Sequence, residues 1–165
     1  MPALLRRRLL LATLALPLAG CGFRLRGPQT MAFETLSISG IPEHSKFAAD
    51  MRREIEAGGS TRIVSTPEEA EVHLEILNNR RARSILSIAG DGSVREYQIN
   101  RFLVYRIRHR DGRILAEPTT LRARREYNYD DEQTLAKQRE EDLLYEDMER
   151  DLLQQLVRRL AAVST

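Results

Sequence analysis

The sequence predicts an α+β fold: a two-layer sandwich in which a mainly antiparallel sheet carries two helices packed on one face. Three observations carry that prediction. Between Val72 and Tyr127, apolar and polar residues alternate in long runs with the period of two expected of strands. Asp91-Gly92 and Asp111-Gly112 interrupt those runs with residues that tolerate the positive φ of a hairpin turn. On either side, residues 44–57 and 132–162 repeat their apolar positions at helical spacing.

Taken in order, residues 33–39 read as a strand, with Leu36 and Ile38 on one side and Gly40 and Pro42 ending it. Residues 44–57 read as a helix, because Phe47, Met51 and Ile55 stand four apart and stack on one face. Gly58-Gly59 stops it, since glycine accepts the left-handed end conformation. Residues 61–64 suit a short strand, followed by a turn at Ser65-Thr66-Pro67. Val72, Leu74 and Ile76 open a long strand that runs to Ile88 with a bend near Asn78-Asn79. On the next strand Tyr97, Ile99, Leu103, Tyr105 and Ile107 share one face, with Arg101 the charged exception. Residues 113–127 form a third long strand. Asp130-Asp131 can cap the closing helix. Its stripe is Tyr145, Met148, Leu152, Leu156 and Leu160, broadened by Leu153 and Val157. Glu146 and Arg150 are expected to pair at i,i+4 on the opposite side. A helix of some 30 residues extends ~45 Å, about the length of the long strands.

The first 20 residues have another purpose. Arg6, Arg7 and Arg8 precede an apolar run from Leu9 to Leu18 that ends in small residues, the composition of a secretory signal peptide. The run is too short to span a bilayer, which takes ~20 residues. Leu18-Ala19-Gly20-Cys21 resembles a bacterial lipobox, in which the thiol becomes a thioether to diacylglycerol and the new N-terminus is acylated. An ordinary signal peptide with an incidental cysteine is the alternative. Cys21 is the sole cysteine, so no intrachain disulfide forms, which suits a thiol committed to lipid. Two or more acyl chains give stable anchoring. The expected organisation is a cleaved signal at 1–20, a lipidated tether at 21–32 with Gly22, Gly27 and Pro28 as breakers, and one α+β domain at 33–165. Bacterial lipoproteins retained at the inner membrane often carry Asp after the cysteine, so Gly22 points to the outer membrane.

Charge excludes one class of partner. Cleavage removes three arginines and no acid, so 26 basic and 24 acidic residues become 23 and 24. The basic balance of the precursor belongs to targeting and is no footprint for nucleic acid.

Catalytic motifs are missing. His44, His73 and His109 are far apart, none has metal-ligand spacing, and no nucleophile elbow, phosphate loop or dinucleotide fingerprint appears. A periplasmic hydrolase would need His73 or His109 to meet an Asp or Ser in the folded chain. The arginines are the better candidates. Arg80, Arg81 and Arg83 cluster after the first long strand. Arg106, Arg108 and Arg110 alternate on the second, and Arg122 and Arg124 on the third, all projecting from the face opposite Tyr105 and Ile107. Aligned like charges repel unless acids or an anionic ligand sit among them, and guanidinium matches phosphate geometry. A solvated face balanced by Glu96 and Glu126 is the plainer reading.

These residues, taken together, suggest a family. Cys21-Gly22-Phe23-Arg24-Leu25-Arg26-Gly27 resembles the mature start of LptE, the lipopolysaccharide-assembly lipoproteins. Glu96-Tyr97-Gln98, Tyr129-Asp130, Leu135-Ala136-Lys137, Met148 and Gln155-Leu156-Val157-Arg158-Arg159-Leu160 are similar to that family in order and spacing. The resemblance implies an outer-membrane lipoprotein with two helices on a sheet. It would be non-enzymatic and free of cofactors beyond its covalent lipid, and would plug the lumen of the LptD β-barrel. It also implies help in folding that barrel and contact with lipopolysaccharide, for which Lys137 is the position carried across. The chain lacks the long polar tail of some members, and its matched hairpin turn differs. A free periplasm-facing lipoprotein carrying an amphiphilic lipid remains the alternative, and would need a concave apolar pocket.

Overall fold

Both Asp-Gly pairs close hairpins, with Gly92 at φ 88° and Gly112 at φ 90°. The computed structural model describes residues 29–164, so Cys21 and the signal segment lie outside the described residues. Strand β1 (Thr35–Ser39) leads to helix α1 (Lys46–Glu56) and then to β2 (Arg62–Ile63). The long strands β3 (Val72–Ile88), β4 (Val94–His109) and β5 (Ile114–Asn128) follow, and helix α2 (Thr134–Ala161) closes the chain. The five strands stand in the order β2-β1-β3-β4-β5. The β3-β4-β5 meander is antiparallel, as expected, but β1 runs parallel to both β2 and β3, so the sheet is mixed. Helix α1 is the crossover that a parallel β1/β2 pair requires.

Helix α1 begins two residues later than its apolar spacing suggests, because Ser45 is the cap: its Oγ accepts from the Ala48 N–H at 3.2 Å. Phe47, Ala48, Met51 and Ile55 are its buried side. Asp130 caps a single 3-10 turn, Asp131–Gln133, rather than α2 itself. The α2 stripe is buried as predicted, from Tyr145 to Leu160, but Glu149 lies within it. Glu146 does not pair with Arg150. It accepts from Lys46 of α1 at 2.9 Å, while Arg150 pairs with Asp147 one turn back. Met31, at the end of the expected tether, is buried, and its N–H donates to Ser60 Oγ at 2.8 Å.

The bend in β3 is a register shift between Ile76 and Asn78 that leaves Leu77 without a cross-strand partner. An extra residue reverses which side chains face the core. Before it, Val72, Leu74 and Ile76 point under the helices. Beyond it, Asn79, Arg81, Arg83 and Ile85 pair with the helix-facing Leu103, Arg101, Ile99 and Tyr97, so Arg80 turns to the open face. Core packing lies wholly between the sheet and the two helices, where Leu36, Met51, Leu74, Ile99, Leu103, Ile107, Met148 and Leu156 are fully buried.

Candidate functional site

The open face of the sheet is where the alternating arginines gather. Arg106 Nε and Nη2 both donate to Glu75 Oε2, at 3.1 and 2.6 Å, and Arg108 Nη2 reaches the same oxygen at 3.4 Å. This pairing holds the Glu75 carboxyl below its usual range, the Arg106 hydrogen bonds being the main cause. Arg124 lies 3.8 Å from Glu126. At the middle of the face Arg80, Phe102 and Arg122 occupy one cross-strand row. Their guanidinium carbons lie 4.1 and 5.4 Å from the Phe102 ring centre. Arg122 Nε and Nη2 donate to Oδ1 of the buried Asn100, at 3.0 and 2.7 Å.

Other predicted residues lie elsewhere. Arg110 is past the end of β4, in the turn, where its backbone N–H donates to the Glu71 carbonyl at 2.9 Å. Arg81 is on the helix side, 3.8 Å from Asp142 and over the Tyr145 ring at 4.7 Å. Arg83 is there too, donating to Glu141 at 2.9 Å, with Tyr127 donating to the same oxygen. Burial, then the Glu141 contact, pushes the Tyr127 hydroxyl far above its usual pKa. Lys137 sits in the first turn of α2, donates to Glu140 at 2.9 Å, and borders an open cleft of about 670 Å³ shared with Arg95, Tyr129 and Asp130 at the β3-β4 tip. Arg108 is at the other end of β4, so Lys137 and the Arg106–Arg108 pair do not form one site.

Sequence reasoning missed Glu75, Asn100 and Phe102 as parts of this face. Their alternation with core residues was visible, but the pairing register was not.

His73 does meet a serine: its Nδ1 lies 2.7 Å from Ser37 Oγ. The pair joins two neighbouring strands, Ser37 is buried in the middle of β1, and among the described residues no carboxylate hydrogen-bonds the ring. A hydrolytic base needs a third group to orient it and an exposed nucleophile. Burial, aided by Arg108, lowers the His73 pKa. Among the described residues no cluster of three or more His, Cys, Asp or Glu can hold a metal.

A sequence model of the LptE family, described as lipopolysaccharide-assembly, matches residues 33–160. The chain belongs to the LptE family. It is 26% identical to the LPS-assembly lipoprotein LptE of Photorhabdus laumondii, across 94% of this chain and 85% of that protein. The protein of the same name from Pectobacterium atrosepticum is also 26% identical, across 97% and 89%. Among solved structures, lipoprotein B of Nitrosomonas europaea superposes with a TM-score of 0.70 at 30% identity, covering 86% of this chain and 91% of that one. The rare lipoprotein B of Shewanella oneidensis gives 0.67 at 25% identity, covering 78% and 95%. As an LptE-family member the chain serves lipopolysaccharide assembly, without enzymatic activity and without a cofactor. Among the described residues no helix is long and apolar enough to cross a membrane.

Proposed function

We infer that this LptE-family chain is an outer-membrane lipoprotein, held by lipid on Cys21, that fills the lumen of an LptD-type β-barrel and assists its assembly. The observation that carries the reading is the family match over residues 33–160 on a body whose outer faces are charged. A barrel lumen is polar, so such a body suits it. Basic side chains on the body, Arg80, Arg81, Arg106, Arg108, Arg110, Arg122, Arg124 and Lys137, are the candidates for lipopolysaccharide phosphates and sugar acids.

Detergent extraction of the tagged lipoprotein, followed by mass spectrometry of what remains bound, tests this. A stoichiometric large outer-membrane β-barrel is expected. Recovery of the lipoprotein alone from intact extracts overturns the plug reading and favours a free carrier. The cleft beside Lys137 gives little support to a carrier, since Arg95, Asp91, Asp130 and Glu132 line it.

A further inference from the structure

We propose that Arg80 and Arg122, standing on either strand beside Phe102, form the phosphate-binding subsite of the open sheet face. The proposal rests on the lipopolysaccharide-binding reading above and singles out two arginines from its candidates. Five arginines of β3–β5 occupy this face. Arg106, Arg108 and Arg124 each have a carboxylate within 4.0 Å. Among the described residues Arg80 and Arg122 have none. These two like charges flank the same residue from the strands on either side, about 10 Å apart at the backbone, and both face the same open surface.

The row is also built for a fixed ligand. Asn100 is 6% exposed and takes two of the five Arg122 N–H donors on its carbonyl oxygen, which sets the orientation of the fork. Its amide offers no negative charge, so Arg122 keeps its full charge and its remaining donors. Arg80 lies over the Phe102 ring at 4.1 Å, which orients its guanidinium without using a donor. All three residues are in the middle of long paired strands, so the backbone beneath them is rigid. Pre-oriented guanidinium forks with spare N–H groups match phosphoryl oxygens. The ligand chemistry is a phosphate group, and whether a lipid headgroup or a soluble phosphate carries it is what the test separates.

The test uses the full lipoprotein in nonionic detergent, titrated calorimetrically with inorganic pyrophosphate. Arg80→Gln with Arg122→Gln is expected to weaken binding by roughly tenfold or more, whereas Arg53→Gln with Arg125→Gln, which removes two exposed arginines paired with Asp50 and Asp151, changes it by less than about twofold. Arg122→Gln leaves Asn100 without its donors, so Arg80→Gln alone, which touches only the exposed ring face, is measured beside it and is also expected to weaken binding. Equal loss in both double variants, or no loss in either, overturns the subsite. Micelles doped with phosphatidic acid are expected to displace pyrophosphate. Failure to do so overturns the lipid headgroup as source and leaves a soluble phosphate. Barrel co-purification with the same variants separates the two readings: a retained barrel with unchanged pyrophosphate affinity removes the subsite only, and a lost barrel in the wild-type protein removes the plug only.

Discussion

Glu149 of α2 accepts a hydrogen bond from Arg101 Nη2 of β4 at 2.8 Å, with the two side chains 12% and 8% exposed. The guanidinium carbon lies 5.9 Å from the Phe47 ring centre of α1, so the ion pair joins all three elements. Each charge is tolerable there only because the other is present. Glu149→Ala is expected to destabilise the fold by about 3–5 kcal/mol, since it strands a buried guanidinium. Replacing both, Arg101→Met with Glu149→Leu, should cost far less. Urea unfolding of the three proteins measures the difference, and equal losses in the single and double variants would refute the account.

Gly40 ends β1 with φ 82°, and a Cβ there would lie 1.9 Å from the Ile76 carbonyl oxygen. Gly92 has a similar φ but open space around it. Gly92→Ala therefore carries only the left-handed backbone penalty, about 1–2 kcal/mol. Gly40→Ala also forces β1 away from β3 and should exceed about 4 kcal/mol. Thermal unfolding of the two variants tests the ranking.

Acid should weaken the fold in two stages. His73 has a lowered folded pKa, so its stabilisation is present above the ordinary value of 6.5 and is lost as pH falls through the folded value. Arg108 and His109 oppose its protonation and Glu68 favours it. Glu75 is also depressed, so its share is present above 4.5 and lost at lower pH still. Tm followed from about pH 7.5 down to about pH 2.5 should decline in both windows, first below the ordinary histidine value and then below the ordinary carboxylate value. His73→Gln should remove the first decline and leave the second. An unchanged profile would show that His73 does not contribute.

Two leucines of α2 offer a packing test. Leu156 is fully buried, whereas Leu143 is 63% exposed. Leu156→Ala should cost about 2–5 kcal/mol through the cavity it leaves. Leu143→Ala should stay within about 0.5 kcal/mol. Chemical denaturation midpoints at constant slope report both.

Much of this architecture was legible along the chain. The apolar stripes of α1 and α2 faced the core because helical periodicity is local, and both hairpins closed at Asp-Gly because those residues set turn geometry themselves. The arginine face was legible on β4 and β5, where alternation holds through Arg106, Arg108, Arg122 and Arg124. It failed on β3. Leu77 shifts the register, and Arg80 and Arg81 diverge to opposite faces. Arg110 failed for a simpler reason, since β4 ends at His109.

The sequence by itself determined the element order, the turns, the core stripes and the family, all of which depend on neighbours in the chain. Tertiary structure alone decided the parallel pairing of β1, the burial of Arg101 against Glu149, and which arginines find a carboxylate. Those outcomes depend on groups 48 residues apart, as in Arg101–Glu149, or 31 apart, as in Arg106–Glu75. A charge's worth depends on its partner and its exposure, and only the packed sheet and helices bring partner and exposure together.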